Sequence, residues 1–259
     1  TQGAAGGNGD IFVNDSVRWP ANPLTLHAER NITSNTAMNA SATAGLALEY
    51  GQGAVAAGNS ATYTVNAPVN LASTGSFSTK LGSDGAAANY TIVTSLGAAG
   101  SSNDGTLQGI KGNLSGKYVL GADIDASATS AWNAGAGFTP IGDNSTSNSA
   151  SRYTATFDGL GHVITGLAIN RPATNFVGLF GYVDTNGVVR NVGLSGGSVV
   201  GSSRVGQLAG AVNGTISASH ATGAVSGIDN TGGLVGKNFG TVTTSYATGA
   251  VSGKSLMGG

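Results

Sequence analysis

Three aspartates and one histidine are the residues whose types and spacing could support chemistry. Asp123 and Asp125 are two positions apart, so on a β-strand their side chains would share one face. Asp158, which precedes a glycine-rich turn ending at His162, would approach this pair if successive chain segments stack in register. Clustered carboxylates act as acid and base, or acid and nucleophile, in glycoside hydrolysis. The spacing therefore raises the hypothesis of a β-helix carbohydrate-active enzyme using Asp123, Asp125 and Asp158.

The same aspartates have a structural alternative, because an aspartate in a turn commonly accepts a hydrogen bond from a nearby backbone N–H. No dense set of arginines and lysines accompanies them, as a uronate-cleaving lyase would require. His162 would need a positioned serine or carboxylate to act in catalysis. We therefore assign no catalytic residue and expect that the chain is not an enzyme.

Metal and cofactor sites are not expected either. The chain has no cysteine, so a cysteine-bearing zinc site is excluded. His27 and His220 are isolated, and a repeat described below replaces His220 with Tyr246, which favours an exposed or stacked ring over a ligand. Turn aspartates leave calcium conceivable but form no D-x-D-x-D-G loop: Asp10, Asp15, Asp104, Asp143 and Asp229.

Scattered aromatic residues leave two interpretations open. On an exposed face they would stack on sugar rings or insert into a partner, whereas in the interior they would pack or anchor loops. We favour the interior interpretation. The residues concerned are Trp19, Trp132, Tyr153, Phe176, Tyr182 and Phe239.

Composition limits the elements that can position these side chains. Glycine supplies 44 of 259 residues and charged residues only 9%, against roughly 25% in average proteins. Exposed faces of helices need many charged residues, so a mainly helical fold is excluded. The net charge of −1 gives no basic surface for nucleic acid. No apolar run approaches the ~18–20 residues that span a bilayer. A β-rich chain remains.

An internal repeat decides the fold class. The segment 219–227 recurs at 245–253 with a single difference, and two further blocks recur at the same offset. Within each repeat, short apolar runs are separated by Gly and Asn, which is typical of the faces of a parallel β-helix. The offset predicts that Ile216 stacks on Val242 and Val225 on Val251. We therefore predict an all-β, single right-handed parallel β-helix of roughly 10–13 coils.

Two stretches resemble known families. Residues 9–51 resemble coils of filamentous-haemagglutinin-type exoproteins, which are exported by two-partner secretion. Residues 205–253 resemble the GLUG repeat of bacterial surface proteins, and segments 118–125 and 157–164 resemble the region that often precedes such repeats. The resemblance implies a secreted or surface-displayed adhesin fibre, exported by an outer-membrane two-partner-secretion transporter, and carries over no catalytic residue.

The expected organisation follows from these stretches. We predict haemagglutinin-type coils over 1–105, connecting coils with longer loops over 106–175, and GLUG-type repeats over 176–259. No signal peptide precedes Thr1, and residues 258–259 align with the start of a further repeat. The sequence is therefore interpreted as an internal fragment, truncated within a repeat.

Three functions are compatible with this organisation. The leading hypothesis is a structural or adhesive segment of a large secreted bacterial surface protein that mediates attachment or fibre formation. Its expected partners are a glycan or protein on a host or neighbouring cell, or further copies of itself stacked end to end, and not nucleic acid. The alternatives are the carbohydrate-active enzyme and a passive spacer stalk.

Overall fold

The computed structural model describes residues 8–144 and 149–258, and these form a β-solenoid. Its strands are short, and its helical residues lie in 3-10 segments at Gln108–Gly112, Ser127–Gly135 and Ser149–Ser151. The chain divides into two compact units. The first unit comprises 1–94 with Tyr118–Ala122, and the second comprises Ser95–Lys117 with 123–259.

The first unit contains strands β1 to β11. They are β1 (Ile11–Val13), β2 (Val17–Trp19), β3 (Leu24–His27), β4 (Ile32–Ser34), β5 (Met38–Ala40), β6 (Leu46–Tyr50), β7 (Tyr63–Val65), β8 (Val69–Asn70), β9 (Phe77–Leu81), β10 (Ala88–Val93) and β11 (Tyr118–Leu120). Three parallel stacks, β1-β4-β7, β2-β5-β8 and β3-β6-β9, make three-sided coils. The register places Leu24 beside Leu46 and Leu46 beside Phe77, so large apolar side chains follow one another from coil to coil.

The coils of the first unit differ in length. Ile32 lies beside Ile11, and Tyr63 lies beside Ile32, so the step from β4 to β7 is longer than the step from β1 to β4. The extra residues are inserted between β6 and β7, and they form the loop 51–61. This insertion explains why the N-terminal half shows no fixed sequence period although its strands stack regularly.

The second unit continues with strands β12 to β30. They are β12 (Ile124–Asp125), β13 (Thr156–Asp158), β14 (Val163–Thr165), β15 (Ala168–Asn170), β16 (Phe180–Val183), β17 (Val188–Arg190), β18 (Gly193–Ser195), β19 (Ser198–Val200), β20 (Ser203–Val205), β21 (Ala209–Val212), β22 (Thr215–Ser217), β23 (His220–Ala221), β24 (Ala224–Ser226), β25 (Asp229–Gly232), β26 (Val235–Asn238), β27 (Thr241–Thr243), β28 (Tyr246–Ala247), β29 (Val251–Ser252) and β30 (Ser255–Gly258). Five parallel stacks, β13-β17-β22-β27, β12-β14-β18-β23-β28, β15-β19-β24-β29, β16-β21-β26 and β20-β25-β30, form five-sided coils.

The register expected from the internal repeat is confirmed. Ile216 lies beside Val242, Ala221 beside Ala247, and Val225 beside Val251. Ile216 is fully buried, and its flanking residues Thr215 and Ser217 are only partly so. This alternation is the period of a strand with one face on the core.

The prediction of 10–13 coils was too high, since the residues that the structure describes form about eight. The error came from assuming that every coil is about as long as the last repeats or shorter. Ile164 stacks on Ile124, and Leu194 stacks on Ile164. The coil from Ile124 to Ile164 therefore contains more residues than the coil from Ile164 to Leu194, because a long connection joins β12 to β13. Long connections in the middle of the chain therefore use residues that the estimate had assigned to additional coils.

Two recurring positions of the second unit hold non-glycine residues in the left-handed backbone region, which is unfavourable for residues with a Cβ. The first is a corner after β17, β22 and β27, and it contains Asn191 (φ 53°), Ala218 (47°) and Thr244 (48°). The second contains Phe176 (60°) and, within the short strands β20, β25 and β30, Arg204 (57°), Asn230 (49°) and Leu256 (47°). The coil geometry therefore imposes this conformation whatever residue occupies the position.

Two buried glutamines replace backbone pairing inside the second unit. Gln207 donates from Nε2 to the Gly196 carbonyl at 2.6 Å and accepts from the Gly223 N–H at 2.7 Å. Gln108 makes the same pair of bonds to the backbone of Thr139, at 3.0 and 2.9 Å. Both side chains are fully buried, so each has its own amide satisfied by one backbone donor and one backbone acceptor, and in the case of Gln207 the donor belongs to the buried Gly223.

Candidate functional site

Asp123 and His162 meet across neighbouring coils, a contact that the sequence did not predict. Asp123 lies just before β12, and its Oδ1 is 3.0 Å from Nδ1 of His162 and 2.9 Å from the backbone N of Val163, which begins β14. The Asp123 side chain is 69% exposed, whereas the histidine is buried. Partial burial opposes ionisation, but the two hydrogen bonds and the nearby imidazole outweigh it, so the pKa of Asp123 is lowered.

Asp125 and Asp158 occupy different surroundings. Asp125 is exposed on β12, and the backbone N–H of Ser127 donates to its Oδ1 at 2.9 Å, which lowers its pKa. Asp158 ends β13 and is fully buried. Its Oδ2 accepts from Nε of Arg190 at 2.8 Å, and its Oδ1 accepts from the backbone N of Leu160 at 2.9 Å.

These positions do not bring the three carboxylates together as one site. β12 lies in the stack beside β14, whereas β13 lies in the stack beside β17, so Asp125 and Asp158 belong to different faces of the coil. Asp158 is closed to solvent and neutralised by Arg190. Each of the three aspartates instead accepts a backbone N–H at a turn or strand start, as the structural alternative had it.

Asp10 and Asp104, two of the turn aspartates named for calcium, bond to neighbouring protein groups. Asp10 accepts from the backbone and side chain of Asn31, at 2.9 and 3.0 Å, and Asp104 accepts from Thr106. These bonds lower the pKa of both carboxyls. Within residues 8–144 and 149–258, no group of three or more histidine and acidic side chains is placed to hold a metal ion.

The aromatic side chains divide between interior and surface. Tyr153 is fully buried, and its hydroxyl donates to the Gly116 carbonyl at 3.2 Å. Phe239 and Tyr246 are 55% and 58% exposed. Tyr246 stacks on His220 with ring centroids 5.4 Å apart, in agreement with a stacked role for this histidine.

Among the remaining aromatics, Tyr182 is buried and contacts the half-buried Phe176, with ring centroids 5.8 Å apart. Trp132 stacks on Phe138 at 6.4 Å. Trp19 is fixed by a 2.9 Å hydrogen bond from Nε1 to the Gly45 carbonyl. The interior and anchoring interpretation therefore fits these side chains, whereas Phe239, Tyr246 and Phe12, which is 57% exposed, are exceptions among the described residues.

The sequence analysis missed a polar cleft in the first unit. It has a volume of about 360 Å³ and lies between the corner 29–31 and the loop 51–61, with Gly53, Ala54, Asn59, Ser60 and Ala61 along the loop side. Glu29, Arg30 and Asn31 line the other side. A volume of this order is at the small end of ligand sites. The signal in the sequence was the lengthening of one coil, which is visible only once the strands are paired.

Comparison with known proteins gives two partial similarities. The chain is 48% identical over 108 residues to "Halomucin" of Haloquadratum walsbyi, covering 41% of this chain and 1% of that protein. It is 47% identical over 62 residues to a "Putative Gly-rich membrane protein" of Evansella cellulosilytica, covering 24% of this chain and 7% of that protein. The chain thus spans only a small part of either relative.

No family model and no solved structure matches the chain. The resemblance to haemagglutinin-type coils and GLUG repeats, and the organisation derived from it, therefore stay predictions. Within the part of the chain that the structure describes, no helix combines the length and apolar character needed to cross a membrane.

Proposed function

We propose that this chain is a surface-associated segment of a large repeat protein, in which the solenoid provides a rigid support and its exposed faces mediate attachment. The names of the two relatives support the coarser part, a surface-associated repeat protein. The adhesive part is our proposal. The same proposal includes export through a two-partner-secretion transporter and the absence of catalytic activity.

The observation that carries the proposal is the regular solenoid with aromatic side chains left on its outside. The backbone hydrogen bonds and the inward apolar side chains hold each coil to its neighbours, so the outward side chains can vary without destabilising the fold. Most of them are small and uncharged, yet Phe239 and Tyr246 are exposed on the same coil. Exposed aromatic rings are favoured contact residues, since they bury a large area with little loss of side-chain freedom.

The test compares attachment by two variants of the full chain coupled to beads. We expect Phe239→Ser combined with Tyr246→Ser to reduce bead attachment to cells at least severalfold. The control, Ser252→Ala, changes an exposed residue on the same coil and should leave attachment intact. Equal attachment by both variants would contradict this contact surface, and no attachment by the parent chain would favour the passive spacer stalk.

Surface association is tested separately. In cells that produce the parent protein, an antibody raised against this chain should label intact cells, and added protease should remove the label. Labelling only after permeabilisation would contradict the surface assignment. The carbohydrate-active enzyme has less support than the adhesive segment or the spacer stalk. Asp158 is buried and paired with Arg190, and Asp123 and Asp125 already accept backbone hydrogen bonds.

A further inference from the structure

The polar cleft of the first unit has a built frame. The loop 51–61 is tied to the preceding coil by hydrogen bonds from the backbone N of Gly51 and Gly53 to the carbonyls of Arg30 and Glu29, at 2.6 and 3.1 Å. It is tied to the following coil by the N of Ala56, which donates to Oδ1 of Asp84 at 2.7 Å. The loop is therefore held from both sides, and the cleft beside it is a fixed feature of the fold.

Two side chains of opposite charge in the cleft make no hydrogen bond within the described residues, although Arg30 forms a long ion pair with Asp10. The Glu29 carboxylate makes no hydrogen bond or ion pair with any residue of the described chain. Arg30 has a side chain that is 58% exposed, and its Nε is 3.9 Å from Oδ1 of Asp10, an oxygen that already accepts two hydrogen bonds from Asn31. The cleft thus presents a free carboxylate acceptor and a guanidinium with free donors.

The other polar side chains of the cleft form its walls. Oδ1 of Asn31 accepts from the N of Thr62 at 2.9 Å, and Nδ2 of Asn59 donates to the Gly51 carbonyl at 2.8 Å. Gly53 makes room for the acid, because a Cβ built at this position would lie 2.8 Å from Oε2 of Glu29. Glu29 and Arg30 therefore line the cleft together with small residues such as Gly53, Ala54 and Ala61.

We propose that this cleft binds a neutral sugar residue of a glycan. Vicinal hydroxyls donate to a carboxylate and accept from a guanidinium at the same time, which matches the one acceptor and one donor group that are free. The pair carries no net charge, so it favours a neutral ligand over an anionic or cationic one. The small size suits one ring, and the open side lets the rest of a glycan leave the cleft. The inference rests on the proposed attachment function and names its ligand class.

The experiment titrates the full chain with methyl glycosides of glucose, galactose and mannose, followed by ligand-observed NMR. One sugar ring held by two side chains should bind weakly, with a Kd of about 1 mM. Glu29→Ala and Arg30→Ala should each weaken this binding at least tenfold. Gly53→Ala should do the same by displacing the Glu29 carboxylate, although it leaves both charged residues in place.

Matched controls use the same residue types outside the cleft. Glu49→Ala removes an acid on β6, and Arg18→Ala removes an exposed arginine on β2 that lines a smaller pocket beside Trp19. Both should bind the glycosides like the parent chain. Loss of binding in Arg18→Ala with retention in Arg30→Ala would overturn the assignment in favour of the pocket beside Trp19. Unaltered circular dichroism would show that each variant is folded.

Further outcomes separate this proposal from the attachment function. Binding of free alanine or glutamine, with no response to any glycoside, would overturn the sugar assignment, because a zwitterion also satisfies one carboxylate and one guanidinium. Cell attachment that is unchanged in Glu29→Ala would overturn the cleft as the attachment site while leaving the attachment function standing. Glycoside binding by a chain that does not attach to cells would overturn the attachment function while leaving the cleft as a sugar site.

Discussion

Replacing Gln207 tests whether buried amides hold the coils of the second unit together. In Gln207→Leu the side chain keeps a similar volume but loses both hydrogen bonds, so the Gly223 N–H stays buried without a partner, whereas the carbonyl of the exposed Gly196 turns to water. One unsatisfied buried group costs about 1–3 kcal/mol, so the variant should lose about that much stability. At roughly 2–4 °C per kcal/mol for a chain of this size, Tm should fall by about 2–12 °C.

The assay pairs thermal unfolding with hydrogen exchange. The Gly223 amide should exchange faster in Gln207→Leu, because its acceptor has been removed, whereas amides of the first unit should be unaffected. Gln207→Glu provides a second variant, since it keeps an acceptor for Gly223 and loses the donor to Gly196. Ser252→Ala, an exposed change in the same unit, should shift Tm by less than about 1 °C, as surface substitutions do. An unchanged Tm for Gln207→Leu, with normal exchange at Gly223, would refute the reasoning.

Three further outcomes are expected. Thr244→Gly should stabilise the chain by about 1 kcal/mol, because it removes a β-branched side chain from a residue at φ 48°. Thr243→Gly, in the adjacent strand β27, should destabilise the chain. If denaturant titrations showed that Thr243→Gly is the more stable of the two variants, the corner geometry would be contradicted. Leu234→Asp should lower Tm by more than about 10 °C or prevent folding, because it places an unpaired carboxylate among apolar ladders, whereas the exposed Thr243→Asp should cost little; equal losses would show that the register is wrong. Thermal unfolding between pH 2 and 8 should show that stability is lost below about pH 4, because the pKa values of Asp123 and Asp125 are lowered in the folded state. The stabilisation by these two carboxylates is fully present above their unfolded pKa and is lost as the pH falls through their folded pKa. A Tm that rises on acidification would contradict this prediction.

Repetition made the second unit predictable. A fixed offset between repeats determines which residues stack, so the neighbours of Ile216 and Val225 could be assigned from the sequence alone. The number of coils could not, because the Ala/Gly/Ser-rich composition of a segment such as the loop 51–61 does not show whether it forms part of a coil or lengthens one.

The candidate sites were less accessible to sequence analysis. The proximity of Asp123 and His162 follows from pairing β12 with β14 across a long connection, and no local pattern specifies that register. Asp158 was expected to approach Asp123 and Asp125 if successive coils stack in register, but the five-sided coil places Asp125 and Asp158 on different faces. The role of Gln207 is also invisible in the sequence, since a polar residue in an apolar run reads as exposed until its two backbone partners are known.

Glu29 and Arg30 carry a similar lesson. Adjacent residues of opposite charge usually lie at a solvated corner, and the residue types of Glu29 and Arg30 do not distinguish them from such a pair. They become a candidate site because a loop inserted into the next coil folds back beside them. Such a site depends on the packing of a neighbouring coil and not on a motif.

The constant offset in the last coils has a consequence for how such chains change length during evolution. Duplication of a segment as long as one repeat would insert one complete coil in this region, because each new strand would meet the same neighbours at the same register. Left-handed positions would again fall on left-handed positions. A length change of one residue is instead absorbed in a connection: Val189 pairs with Ile216 at an offset one residue longer than that between Ile216 and Val242, and the same side chains still face the core. Selection on a gene of this kind can therefore adjust reach in whole coils, while smaller changes in length are confined to the connections between strands.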